Sequence, residues 1–417
     1  MFASKDLSIL TLRGELEIHM FTNIKFESYS QIDEVINHLF TVTAISYKPL
    51  PQTNRQVSSP LQIDVVPAYE ILRRSDLTSN MQIVNQELKN LGFIPLLRPH
   101  PTQESRAMLY IFPLSKRMQE TGQKLTTPLI LFGLTVLSVF FVGFTSWDVL
   151  RKIKPDLNPI VTSMLYAIGL IGIVGIHELG HMFASRIHGI KASWPYFLPF
   201  PFGYGTFGAF ISQKTPIKSR NDLFDVGLAG PIFGFVASIF FTVIGLMISF
   251  AVENSAVPAD IFNPLNPIDF RLVSDTRFRI LLFETLALII IPNTGPSTEI
   301  FLHPLAIAGY IGLLLTGLNL IPVGQLDGGH VARSLFSENN HRILTYISAA
   351  LMTLLGFWFF AILILLMYSR TGHAGPLDDL SSITTSRKII AAVSIILAIL
   401  CLPIPAEIFN LIFPFFS

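Results

Sequence analysis

His177-Glu178-Leu179-Gly180-His181 is the densest set of reactive side chains in this 417-residue chain. On a helix, histidines four apart share one face, so both imidazoles can reach a single metal ion. Glu178 sits one residue on, near enough to contact a water on that ion. Zinc with one open coordination position brings the pKa of such a water down to roughly 7. The neighbouring carboxylate can then take its proton during attack on a carbonyl and pass it to the leaving amine. The competing reading is a polar cluster where a helix leaves a membrane. The preceding stretch, Met164 to Ile176, is apolar throughout, and a charged group at its end costs up to about 3 kcal/mol to insert.

Catalytic zinc usually takes three protein ligands and a water, so a third donor is owed. No histidine follows His181 at metzincin spacing, and Met182 to Phe210 holds no carboxylate. Cys401 is the single cysteine, which excludes both a Cys-based site and a disulfide framework. The best candidate is Asp327, in Asn319-Leu-Ile-Pro322-Val-Gly-Gln-Leu326-Asp327-Gly328-Gly329. It follows a long apolar run, where a carboxylate is expensive unless paired or bound to a cation. An Asp-Gly turn closing a helix is the alternative. Side chains that share an ion through bonds near 2 Å must lie within about 6 Å of one another.

The pair H-E-L-G-H and N-x-x-P-x-x-x-L-D-G resembles the signature of the site-2 proteases, intramembrane zinc metalloproteases. Ala229-Gly230-Pro231 is similar to the family's A-G-P motif. Pro195 to Pro199, Gly205 to Ala209 and His303-Pro304-Leu305 resemble the branch found in archaea, cyanobacteria and plastids. The resemblance covers about residues 127 to 340. It implies zinc held by His177, His181 and Asp327, with Glu178 as acid/base. It implies that Asn319 supports the oxyanion or the substrate strand, and that Gly230, Pro231, Pro322 and Gly328 are structural motif positions. The implied substrates are transmembrane proteins, cut in or next to their membrane segments. Two rivals stand beside it: a membrane zinc protease acting on soluble or lipidated peptides, and a metal transporter or scaffold without turnover.

The elements that must position these groups are membrane-like. Only 14% of residues are charged, against about 25% in ordinary soluble chains. Net charge is +1, so no case for nucleic acid exists. A bilayer-spanning helix needs about 20 apolar residues. Thr127–Ser146, Pro159–Ala184, Val226–Phe250, Pro304–Pro322, Ile343–Tyr368 and Ile389–Pro403 qualify or nearly do. The fold class expected is a polytopic α-helical membrane protein with about six transmembrane helices. Arg279–Pro292, with Glu284, reads as re-entrant or interfacial. Asn319 and Asp327, eight residues apart, are expected on one helix face.

Residues 1–120 read as a small soluble α/β domain, ahead of a metalloprotease domain over 127–417. A helix is expected around Ile32 to Phe40 and another over Met81–Leu91, stopping at Gly92. Strands are expected over Thr41–Tyr47, Leu61–Val66, Phe93–Leu97 and Ala107–Phe112, with a linker from Pro49 to Pro60. Met1 to Leu12 carries no signal-peptide pattern. The basic loop Arg186 to Asp225 favours a cytoplasmic location for that loop, although Arg151, Lys152 and Lys154 argue the opposite way. The resemblance implies a site open to the cytoplasm, in agreement with the basic loop, and the expected location is the cell membrane, multi-pass. Gly227, Gly230 and Gly234 offer a small-residue face for helix packing. His188, His303, His341 and His373 are read as non-ligands; His330, two residues past the Asp-Gly pair, reads as an interfacial histidine, with a place behind the metal ligands as the alternative.

Overall fold

The computed structural model describes residues 22–49, 65–114, 125–253, 278–291 and 298–416. The linker over 50–60, the first part of the strand expected at Leu61–Val66, and Met1 to Leu12 lie outside these. The chain divides into two compact units, one of Met1–Glu120 with Leu377–Ser381, the other of Thr121–Pro376 with Ser382–Ser417.

The first unit contains α1 (Thr22–Leu39), β1 (Val42–Pro49), β2 (Val65–Leu72), α2 (Leu77–Asn90), β3 (Phe93–Pro99) and β4 (Arg106–Pro113). The strands form one antiparallel sheet in the order β1-β2-β4-β3. Ile32 and Ile36 of α1 and Val84 and Leu88 of α2 are buried with Ile71, Leu97 and Leu109 of the sheet. These helix positions recur at three- or four-residue spacing, so each helix turns one stripe to the sheet. Helix α2 gives way to Gly92 at φ +84°, a conformation glycine adopts at little cost. The segment Leu377–Ser381 adds to the free side of β3: Leu97 N–H donates to the Leu377 carbonyl at 2.8 Å, and Asp379 N–H to the Leu97 carbonyl at 3.3 Å.

The second unit is mainly helical. It comprises α3 (Thr126–Ile153), α4 (Pro159–Ile187), β5 (Tyr196–Pro199), β6 (Thr206–Phe210), α5 (Arg220–Met247), β7 (Phe250–Glu253), β8 (Phe278–Ile280), α6 (Leu281–Ile290) and β9 (Thr298–Phe301). There follow α7 (Pro304–Leu320), α8 (Asp327–Leu335), α9 (Glu338–Leu354), α10 (Trp358–Thr371), α11 (Thr385–Cys401), β10 (Pro403–Pro405), α12 (Ala406–Ile412) and a last 3-10 turn. Among the described residues three helices, α3, α4 and α5, are long and apolar enough to cross a membrane. Large apolar side chains stand exposed along them, including Leu129, Leu137, Ile168, Val236 and Phe240, as a lipid-facing surface requires.

One sequence expectation changes here. Ile343–Tyr368 is not one span: Gly356, at φ +90°, separates α9 from α10. The stretch is continuously apolar, and hydropathy does not register a backbone turn. Residues 278–290 form β8 and the ten-residue α6, a helix about 15 Å long and half of a hydrocarbon core, too short for a crossing. The buried Glu284 is held there by Arg279 at 2.9 and 3.1 Å, an ion pair that answers its burial cost.

The helix ends are set locally. Asn158 caps α4, its Oδ1 accepting from Ile160 N–H at 3.0 Å and Val161 N–H at 3.3 Å, with Pro159 at the first helical position. Ser219 and Asp222 form a reciprocal capping box on α5. His303 caps α7 by accepting from Leu305 N–H at 3.1 Å.

Candidate active site

Helix α4 delivers His177 and His181 one turn apart, with their Nε2 atoms 3.1 Å from each other. Asp327, first residue of α8, places Oδ2 3.1 Å from His177 Nε2 and Oδ1 3.2 Å from His181 Nε2. One donor atom from each of the three lies within 4.8 Å of the others. A tetrahedral ion with ligand bonds of about 2.0–2.1 Å separates its ligands by about 3.3 Å, close to the imidazole–imidazole distance and to the distance from each imidazole to one Asp327 oxygen.

The protonation pattern fits a cation as well. His181 Nδ1 is 2.7 Å from the Val226 carbonyl, which can only accept. Nδ1 therefore carries the proton, and the Nε2 lone pair of a neutral ring faces His177 and Asp327. Burial by itself raises the Asp327 carboxyl, but the His181 and His177 imidazoles hold it well below the usual carboxylate range. Two imidazole nitrogens and a carboxylate converging this closely suit a bound divalent ion. Side-chain exposures of 12%, 10% and 15% for His177, His181 and Asp327 leave a narrow opening to the site. Glu178 is buried beside them, and the Ile211 backbone N–H, just past β6, bonds its carboxylate.

Three glycines of α5 make room for these rings. A Cβ on Gly230 would overlap the His181 ring, and one on Gly234 would lie 2.9 Å from His177 Nδ1. On Gly227 it would sit 2.8 Å from His330 Cβ and 3.3 Å from the Asp327 carbonyl. Gly180 plays the same part from α4, where a Cβ would come 2.7 Å from the Ala229 carbonyl. The small-residue face expected for helix packing thus lies directly against the site. Pro231, inside α5, has no N–H to offer the Gly227 carbonyl one turn back.

The expected shared helix face of Asn319 and Asp327 is corrected. Helix α7 ends at Leu320; Ile321 is extended, as a residue before proline tends to be, and Pro322 begins a loop that runs to Leu326. Asp327 starts a separate helix, and Asn319 is a partly exposed residue of the last turn of α7. Gly328 and Gly329 let the first turn of α8 press onto the Leu320 and Gly324 carbonyls, where side chains would overlap the backbone.

Sequence reasoning missed several other pairings. His188, closing α4, bridges Asp222 and Asp225 of α5 at 2.9 Å each. His330 bonds His373. The only advance signal for either was the presence of histidines in an otherwise apolar domain.

The three donors thus come from one long apolar helix and a separate short one, both packed on the glycine-lined α5. Residues 165–363 match the model of peptidase family M50, and this segment is a domain of that family, the site-2 protease family. Its peptidases use zinc. The chain is 30% identical over 323 residues to the probable zinc metalloprotease EGY1, chloroplastic, of Arabidopsis thaliana, covering 69% of this chain and 55% of that protein. It is 28% identical to the EGY2 protein of the same plant, over 66% of this chain and 48% of the relative. To the EGY1 protein of Oryza sativa subsp. japonica it is 32% identical, over 60% and 42%. The chain thus spans about half the length of the curated relatives it matches. These relatives fit the plastid-like branch that the motifs suggested. Their chloroplastic names lend no support to the expected cell-membrane location with a cytoplasmic opening. No solved structure matches the chain.

Proposed function

We propose that this chain is a zinc metalloendopeptidase that hydrolyses peptide bonds in or next to the transmembrane segments of membrane proteins. The observation that carries this is the convergence of His177, His181 and Asp327 donor atoms within 4.8 Å at the end of a long apolar helix. His177 and His181 would hold zinc through Nε2, and Asp327 through a carboxylate oxygen. Zinc bound there supplies the Lewis acidity that makes water nucleophilic near neutral pH. Glu178 takes the proton of that water on its carboxylate and delivers it to the leaving amine. Its Ile211 N–H partner keeps the carboxylate aimed. Asn319 donates a hydrogen bond to the developing oxyanion from the end of α7. The β5–β6 hairpin, next to Glu178 in the chain's packing, offers an extended edge to a substrate unwound from its helix.

On this reading α7, α10 and α11 join α3, α4 and α5 as membrane crossings, giving six, and residues 1–120 form a soluble domain ahead of the protease domain over 127–417. The substrates are transmembrane proteins, met within the bilayer. The test is a detergent cleavage assay on a panel of single-span proteins, comparing the full chain with Glu178→Gln. Loss of cleavage by about 10²-fold or more, with zinc retained, is expected. Wild-type cleavage by Glu178→Gln overturns the reading.

A further inference from the structure

The nine-residue α8 carries Asp327 at its first position, yet Leu326, its N-cap, makes no side-chain capping bond. Something else must hold this turn in place. His330 lies one turn beyond Asp327, its Cβ side against Gly227 of α5. Its Nδ1 is 2.8 Å from His373 Nε2, in the loop after α10. His373 Nδ1 accepts the Gly375 N–H at 3.0 Å, so the His373 proton is on Nε2 and is donated to His330 Nδ1. The direction of the bond is thereby fixed. The loop just before α8 is tied down as well: Gln325 Nε2 donates to the Gly372 carbonyl, in the loop after α10, at 2.7 Å, and Gly324 N–H donates to Thr345 Oγ1 of α9 at 3.2 Å.

A second metal site is the other use for clustered histidines, since His341 also meets His373 edge to face, with ring centroids 5.1 Å apart. Two facts oppose it. The buried Arg333 guanidinium is an electrostatic neighbour of both His341 and His373, and a fixed cation repels a second one. Among the described residues, the only group of ligand atoms at metal-binding distance is His177, His181 and Asp327. Burial, with His330 and His341 close by, holds His373 well below the ordinary histidine range, and burial lowers His330 too. Neutral rings keep the directed N–H···N bond intact.

We propose that the His330–His373 hydrogen bond is a positioning contact that locks α8 so that the Asp327 carboxylate stays in register with His177 and His181. It rests on the zinc reading above. Both histidines are positioning residues; neither touches substrate. The experiment is zinc affinity by competition with a chromophoric chelator, on the full detergent-solubilised chain. His373→Met removes the donor while keeping bulk; His373→Gln keeps an N–H near the Nε2 position. The Met variant is expected to bind zinc about tenfold or more weakly, as loss of a contact behind a metal ligand does. The Gln variant is expected to stay within about threefold of wild type, and cobalt-loaded Met protein to show a shifted visible spectrum. The contrast is repeated from the other side with His330→Leu against His330→Asn, which serves if His373→Met fails to fold. Equal zinc affinity in wild type and the donor-less variants overturns the proposal alone, as does equal loss in Met and Gln. A wild-type chain that binds no zinc overturns the zinc reading with it.

Discussion

Gly230 of α5 faces His181 of α4 so closely that a single methyl group on it would overlap the imidazole. The Val226 carbonyl, one turn earlier on α5, holds the ring's Nδ1 at 2.7 Å, so the ring cannot swing away without losing that bond. Gly230→Ala should therefore lower zinc affinity at least tenfold, or destabilise the fold by about 1–3 kcal/mol, the usual cost of overpacking. Gly133→Ala on α3 is the control, because nothing lies within 4 Å of its Cβ position. It should leave zinc content unchanged. Zinc analysis and thermal unfolding of the two variants decide the matter.

Asp327→Ala should leave the chain with far less than one zinc per molecule after gel filtration. Two imidazoles alone do not match the three protein ligands of a catalytic site. Asp327→Asn should also bind weakly, because a neutral amide replaces a carboxylate held ionised by its neighbours. Stoichiometric zinc in Asp327→Ala would show that another residue supplies the third ligand.

A chelator should abolish cleavage, and zinc should restore it. Zinc should also raise the unfolding temperature, since an ion that binds only the folded chain stabilises it by about 2.7 kcal/mol at a hundred times its Kd. An unfolding temperature insensitive to zinc would argue that the donors do not hold an ion.

How far the site could be read in advance follows from the range of each contact. His177 and His181 are four residues apart, and helical period alone puts them together. Asp327 was a candidate by its cost in an apolar setting, beside the reading as an Asp-Gly turn, and the resemblance to the site-2 proteases singled it out. The Asn319–Asp327 face was misjudged because helix continuity was assumed across Pro322, whereas α7 stops at Leu320. Likewise the apolar run over Ile343–Tyr368 hid the turn at Gly356. The Val226–His181 bond links residues 45 apart and the His330–His373 bond residues 43 apart. No local pattern encodes such pairings; tertiary packing makes them. The glycines of α5 were legible as a packing face, but which side chains they admit was not.

Asn319→Ala should reduce turnover by about 10²- to 10³-fold if its amide meets the oxyanion, with zinc content and unfolding unchanged. Asn319→Asp should be no better, as a carboxylate would repel the developing charge. A fall in substrate affinity with turnover intact would instead assign Asn319 to holding the peptide.

Arg279 and Glu284 pair at 2.9 and 3.1 Å with side-chain exposures of only 6% and 8%. The Arg279 guanidinium also lies 4.7 Å over the Phe409 ring and donates to Asn410, so one cation ties β8 and α6 to α12. Removing one partner leaves the other buried and uncompensated, which costs about 3–5 kcal/mol. Glu284→Leu and Arg279→Met should each therefore lower the unfolding midpoint clearly. The double variant, with both charges gone, should recover much of that loss, because no ion remains to be desolvated. Zinc affinity should be unchanged in all three, since none of these groups touches His177, His181 or Asp327. Additive losses in the double variant would mean that the pair contributes through packing on Phe409 rather than through charge.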